Sequence, residues 1–337
     1  MKKLVALILS IVSAFTVLTF SACGSKGDVN LKYYNAASEL IPALKTGKIA
    51  YGLLPEPAAT NLENMTKDEK TWYRLDIQEL YDNDTKRYPQ AVMLVKESLL
   101  NTHPQLVGLI AEKFVGNATW VVEHPNETVE TVYRNDVCAE GVTPSFKAAI
   151  LKQSVVDNCH ISWQGAQDGK SAVSDYINEI VAIETASAKP VTDDLFYNGT
   201  AAGEFTADTV NVYCPDGAPA LAIAKFIYDN ENFGTGKTFN YHVVAADNIG
   251  GTVQQGAGDI VILPVNAASK LYKAHSEDPY KLVSVVTHGN LYLMCSEEIT
   301  AKDLKDKIIG VPGLGKVPDL TLKVVLDKLG YNVQVAD

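Results

Sequence analysis

Val210 to Tyr228 reads VNVYCPDGAPALAIAKFIY, and the order of its parts decides the fold class. A short β-prone run, Val210 to Cys214, meets a tight loop, Pro215-Asp216-Gly217-Ala218-Pro219, and then a helix-forming stretch, Ala220 to Tyr228. A change from strand to helix periodicity across a Pro/Gly turn marks a β–loop–α unit. The succession recurs downstream. Tyr241 to Ala245 (YHVVA) is a strand, and Asn248-Ile249-Gly250-Gly251-Thr252 opens a short helix. Asp259 to Pro264 (DIVILP) is a third strand, and Val265-Asn266-Ala267-Ala268 leads a helix through Tyr272. Lys281 to Thr287 and Leu291 to Cys295 read as strands, as does Ile308 to Pro312, with a Gly313-Leu314-Gly315-Lys316 loop before a helix over Asp319 to Leu329. Towards the start, the strand Val29 to Tyr34, the helix Ser38 to Lys45 and the strand Ile49 to Leu54 are units of the same kind. Alternating strands and helices predict an α/β protein, with a largely parallel sheet carrying helices on its faces.

Between these units lies helical territory. Pro104 to Glu123 places Leu106, Leu109, Ile110, Phe114 and Val115 at a spacing that suits one buried stripe. Thr128 to Tyr133, Pro144 to Ser154 and Lys170 to Ala186 also read as helical, whereas the polar, irregular stretch from Pro190 to Phe205 reads as a linker.

The ends and the charge narrow the function. Lys2-Lys3, an apolar run from Leu4 to Phe20, and Ser21-Ala22-Cys23 have the layout of a secretory signal cut before a cysteine. Residues 1–22 are expected to be a lipoprotein signal peptide, Cys23 the lipidated residue, and residues 23–27 a tether. Met1 to Ala22 holds two lysines and no acid, so the formal charge moves from −11 to −13 on its removal. That acidic balance argues against nucleic acid and against a polybasic membrane contact, leaving the lipid as the only expected membrane link. Roughly 310 residues remain, enough for two domains. Cys138, Cys159, Cys214 and Cys295 fit no metal spacing, and the six histidines form no i, i+4 pair, so neither metal nor cofactor is expected. An exported location permits a Cys138–Cys159 bridge, and buried free thiols are the alternative.

Three segments carry a resemblance: Tyr213 to Lys225 (YCPDGAPALAIAK), Asp259 to Ala267 (DIVILPVNA) and Gly310 to Leu322 (GVPGLGKVPDLTL). A fourth is Tyr33 to Pro57, with its GKIAYG and PEP motifs. Together they resemble the solute-binding proteins of the nitrate/sulfonate/taurine type, a family that includes thiamine-pyrimidine binders. The resemblance covers nearly all of the chain after Cys23, in an altered order: residues 28–198 resemble the family's C-terminal part and residues 208–337 its N-terminal part. The chain thus reads as a circular permutant, its old termini joined through about Asn198 to Asp208. Joining Asp337 back to Asp28 restores a helix–strand–helix succession. The resemblance implies a periplasmic-binding-protein-like type II fold, with two α/β lobes, a hinge and a ligand cleft. One lobe would hold residues 90–295, and the smaller would combine 28–89 with 296–337. It also implies a monomer that delivers a small molecule to ABC permease and ATPase subunits from the outer face of the cell membrane.

Ligands in open α/β sheets bind beyond the carboxyl ends of strands. The loops there nominate Asp216, Gly217 and Ala218; Gly251 and Thr252; Asn266; and, near the hinge, Asn290. Each also has a local reading, as a tight turn, a helix cap or an Asx-turn. The resemblance adds Gly313, Leu314, Gly315 and Lys316 as a closing loop. Asn35, Ser38 and Glu56 complete the set, with Ser38 also a candidate N-cap and Glu56 placed to accept from an amine. Helix N-termini and Lys316 favour a sulfonate-, nitrate- or taurine-like anion; the tyrosines equally suit a pyrimidine-like heterocycle. No nucleophile elbow or triad signature is present, and Gly234-Thr235-Gly236-Lys237-Thr238 lacks the first glycine of a P-loop. Catalytic residues are therefore not expected. The rival functions are an enzyme on the same fold, of thiamine-pyrimidine or menaquinone-precursor metabolism, and a ligand-binding sensor. Relatives that consume themselves to make the pyrimidine carry a cysteine-rich iron motif, which this chain lacks.

Overall fold

The structure, a computed structural model, describes residues 27–82 and 87–336; the expected signal peptide and Cys23 lie outside the described residues. Among the described residues twelve strands occur in chain order: β1 (Asp28–Tyr34), β2 (Tyr51–Pro55), β3 (Tyr73–Asp76), β4 (Pro89–Lys96), β5 (Ile161–Gly165), β6 (Thr209–Pro215), β7 (Thr238–Val244), β8 (Ile260–Pro264), β9 (Tyr280–His288), β10 (Leu291–Cys295), β11 (Ile308–Pro312) and β12 (Asn332–Val335). They form two six-stranded sheets, in the orders β12-β1-β11-β2-β10-β3 and β5-β9-β4-β8-β6-β7. No helix among the described residues is long and apolar enough to cross a membrane.

The sheets are mixed, not largely parallel. Five ladders are parallel, and five are antiparallel. The reason lies in two strands that join each sheet just after the chain has left the other. β10 follows β9 across Gly289-Asn290, and β4 follows β3 and the short helix Ile77–Tyr81. Both enter against the direction of their neighbours. As a result, the five strands β1-β11-β2-β10-β3 repeat the pairing pattern of β7-β6-β8-β4-β9: two parallel ladders, then two antiparallel ones. The first sheet draws its strands from both ends of the chain. Leu291 to Cys295 pairs with β2 and β3, so this segment sits in the first sheet rather than with residues 90–290.

The tail alters the expected ring closure. β12 runs parallel to β1, with Asn332 opposite Asp28, and the Ala336 N–H donates to the Leu31 carbonyl at 2.9 Å. The end of β12 therefore lies roughly a strand length, about 13 Å, from the start of β1. A direct peptide link would unpair one strand. Parallel neighbours need a return connection, so closing the ring requires an added segment.

Alternation along the strands lays down three cores. Val92 and Leu94 of β4, Val261 and Leu263 of β8, and Leu291 and Leu293 of β10 face one shared core, together with Val29, Leu31, Ile309 and Val311. The residues between them point the opposite way: Ala91, Met93, Val95, Ile260 and Ile262 to a second core, and Tyr292 and Met294 to a third. A period of two on strands buried on both faces produces this division. The central core takes in residues of both sheets and is filled by the helices Ala166–Ile183 and Val317–Lys328.

Several expected helices are broken, for visible reasons. Pro104 to Glu123 splits into Leu106–Phe114 and Asn117–Glu123, and Ala220 to Tyr228 into Ala218–Leu221 and Ala224–Asp229. One buried side chain touches both breaks. Asn117 Nδ2 donates to the Leu221 carbonyl at 2.7 Å, and its Oδ1 accepts from the Lys225 N–H at 3.0 Å. These bonds replace helical ones, and a buried amide left without partners would cost about 1–3 kcal/mol. Pro144 to Ser154 is not one helix: it holds the turn Ala148–Ile150 and the first residues of Gln153–Asn158, with extended backbone at Lys147 and Lys152. There Ser145 is bonded to Asp216, and Phe146 is buried, which fixes the segment against the second sheet.

Candidate functional site

The space between the sheets has two unlike sides. On one, helix Ala166–Ile183 packs on helix Val317–Lys328. Tyr176 is fully buried, its hydroxyl paired with Thr321 Oγ1 at 2.5 Å, and its ring meets those of Tyr81 and Tyr88. Burial pushes the Tyr176 phenol well above its usual range. Tyr81 donates to Glu179 at 2.6 Å.

An ionic chain rims this side. Asp319, fully buried, accepts from the Tyr33 hydroxyl at 3.0 Å, the Gly315 N–H at 2.8 Å and Lys323 Nζ at 2.9 Å. Lys323 also reaches Glu184 Oε2 at 2.7 Å, and Glu184 Oε1 accepts from Ser187 at 2.8 Å. Burial works against the charge on Lys323, but the carboxylates of Glu184 and Asp319 outweigh it and raise its pKa. Burial, followed by the Asp319 carboxylate, pushes Tyr33 up to about 12.

Several residues read from the sequence gather here. Gly313 and Gly315 hold left-handed backbone, with φ of 72° and 69°, where glycine is favoured. Leu314 is exposed, and Lys316 pairs with Asp247 at 2.8 Å. Asn266 is buried and donates to the Ser187 carbonyl at 3.1 Å, while Gly251 and Thr252 lie in the helix Ile249–Gln254 that begins just past Asp247. Thr252 does not cap that helix, because Asn248 holds the cap position; the Thr252 hydroxyl bonds back to the Asn248 carbonyl at 3.4 Å.

Three further sets lie elsewhere. Asp216 accepts from Tyr133 at 2.7 Å and from the Ser145 N–H and hydroxyl at 2.9 and 2.5 Å, and burial raises its pKa. Gly217 sits at φ 100°, and Ala218 starts a four-residue helix. Asn35 and Ser38 are exposed; the Asn35 amide donates to Glu39 at 3.0 Å, and Ser38 lies inside helix Ala37–Lys45, capped by Ala36 rather than by Ser38. Glu56 and Asn290 meet at the crossing between the sheets. Asn290 Nδ2 donates to the Glu56 carbonyl at 3.0 Å, and Asn290 Oδ1 is buried without a partner.

Glu56 leads to the other, polar side. Its buried carboxylate accepts from Arg74 Nη1 at 2.5 Å and from the Thr60 hydroxyl and N–H at 2.8 and 3.1 Å. Arg74 also binds Glu63 through Nε at 2.6 Å and Nη2 at 2.8 Å, and donates from Nη2 to Thr60 at 2.9 Å. Burial opposes the guanidinium charge, and Glu63 and Glu56 more than offset it, so its pKa rises. Two segments line a cavity of about 430 Å³: Thr60, Glu63, Asn64 and Arg74 belong to one, and Ala149, Ile150, Lys152, Ser154, Val155 and Asn158 to the other. A smaller cavity of about 190 Å³ lies at the Lys273–Asp194 and Lys281–Glu97 ion pairs.

Arg74, Thr60, Glu63 and Lys152 were not singled out from the sequence. One signal pointed to Arg74: it is one of three arginines among 29 basic residues. Arginine in place of lysine suits a bidentate carboxylate site. Among the described residues all four cysteines are free thiols, and no three His, Cys, Asp or Glu gather as a metal site.

No family model matches the chain, and no curated protein matches it in sequence. Among solved structures, it is similar to that of NikA from Brucella suis in complex with Fe(III)-EDTA, at 11% identity and a TM-score of 0.28. The likeness covers 78% of this chain, which spans 57% of the NikA chain. A TM-score that low carries no information on ligand or activity.

Proposed function

We propose that this chain is an extracytoplasmic solute-binding protein, tethered through a lipid on Cys23, that passes a small molecule to an ABC importer. The observation that carries this reading is the repeated strand order of the two sheets, with a polar cavity walled by segments attached to each. In this reading each sheet is the heart of one lobe. The lobes are linked by the two crossings, Gly289-Asn290 and the segment from Asp76 to Pro89. These crossings touch, the Gly289 N–H donating to the Tyr88 carbonyl at 2.9 Å. A Cβ at Gly289 would fall 2.2 Å from the Tyr88 ring, so only glycine fits this close approach.

A permuted order belongs to the same reading. It is supported by a first sheet whose neighbouring strands β1 and β11 come from opposite ends of the chain. By the sequence resemblance the solute is a sulfonate-, nitrate- or taurine-like anion or a pyrimidine-like heterocycle, and no turnover of it is expected.

The test is thermal unfolding of the whole chain in mild detergent against sulfonates, nitrate, aminosulfonates, amino acids and pyrimidines. A ligand at about a hundred times its Kd adds roughly 2.7 kcal/mol and raises the midpoint by a few degrees. Selective stabilisation without consumption of the compound supports the reading. Consumption of the compound, or no stabilisation by any class, overturns it.

A further inference from the structure

The two segments that line the polar cavity carry opposite charge, and this restricts what it can hold. On the first segment Arg74 is nearly used up. Four of its N–H groups already donate to Glu56, Glu63 and Thr60, out of the five a guanidinium carries. Together, the buried Glu56, Glu63 and Arg74 leave one net negative charge. Glu63 is the part of that cluster open to solvent, with its side chain 34% exposed. Each of its oxygens accepts one bond from Arg74 and keeps a second lone pair. On the second segment Lys152 is exposed and meets no carboxylate among the described residues, and Ser154 and Asn158 line the cavity with it. A lone anion would meet the negative first segment, and a lone cation the positive second segment.

We propose that this cavity takes a small zwitterion, with its ammonium group at Glu63 and its acidic group at Lys152. The proposal rests on the solute-binding reading and narrows it. In this proposal the charged ends lie at Glu63 and Lys152 rather than at Lys316, which pairs with Asp247, or at Asp216, which accepts from Tyr133 and Ser145.

The experiment is calorimetric titration of the whole chain in mild detergent, with unfolding midpoints recorded alongside. The zwitterionic probes are glycine, β-alanine, γ-aminobutyrate and 2-aminoethanesulfonate. Ethylamine, propionate, ethanesulfonate, nitrate and a pyrimidine serve as comparators. At least one zwitterion binds, and its singly charged analogues do not at the same concentration. Glu63→Gln and Lys152→Met each weaken that binding roughly tenfold or more, the worth of a charged hydrogen bond. Among the described residues Lys152 makes no side-chain bond, so its variant keeps the ligand-free midpoint even if Glu63→Gln lowers it. Binding of an anion or pyrimidine but no zwitterion overturns the ligand class and leaves the solute-binding reading standing. Zwitterion binding that neither variant weakens overturns the cavity as its site. Failure of every probe overturns both readings.

Discussion

The two sides of the space between the sheets differ in what holds them. The helix pair Ala166–Ile183 and Val317–Lys328 meets through buried apolar residues that belong to one core with both sheets. The segments that line the Arg74 cavity present mainly polar and charged side chains, with Ala149, Ile150 and Val155 among them. Separating the first exposes apolar surface at about 25 cal/mol per Å², whereas separating the second exchanges protein–water contacts for others like them. In the solute-binding reading proposed above, the better-packed helix pair would act as the fulcrum and the cavity as the side that opens.

The strongest way to break this comparison is at the fulcrum. Tyr176→Ala empties a fully buried ring site and is expected to cost about 3–5 kcal/mol in urea unfolding, with solute affinity of the folded fraction unchanged. A loss of affinity as large as the loss of stability would place the solute on the dry side instead. On the polar side, Arg74→Met leaves the buried Glu56 carboxylate without its cation. It is expected to cost about 3 kcal/mol and, unlike Tyr176→Ala, to weaken binding as well.

The crossing between the sheets supplies a pH test. Burial, with Arg87 and His160 nearby, lowers the His288 pKa to about 4, and its ring is held by Ser162 at 3.0 Å and Gln164 at 3.1 Å. The unfolded chain binds the proton near pH 6.5 and the folded chain only near 4. Stability is therefore present above about 6.5 and falls as the pH drops towards 4, by up to roughly 1.4 kcal/mol per pH unit. A His288→Asn variant should flatten that slope, and an unaltered slope would assign it to other groups. The smallest effect is expected for Thr321→Val, which removes the hydroxyl paired with Tyr176. It should cost about 1 kcal/mol and leave solute binding untouched.

Local chemistry made much of the chain legible. Val210 to Cys214, Leu291 to Cys295 and Ile308 to Pro312 appear as strands at or within a residue of the expected limits, because short apolar runs bounded by Gly, Pro or polar turns have few other conformations. Helix interruptions were not legible. Asn117 interrupts the Ala218–Asp229 stretch by taking the bonds of Leu221 and Lys225, residues 104 and 108 positions away, and no window of sequence contains both partners.

By itself, the sequence determined the α/β class, the acidic surface charge, the signal-like start and the glycines at positions 313 and 315. These follow from composition, periodicity and backbone freedom within a few residues. The tertiary structure alone decided that half the ladders are antiparallel, that one core serves both sheets, and that Glu56 is occupied by Arg74. It also brought Glu63 and Lys152 to the lining of one cavity. Each of those depends on which distant segments become neighbours. That choice is made by burial summed over the whole chain, so it leaves no local mark at the residues it brings together.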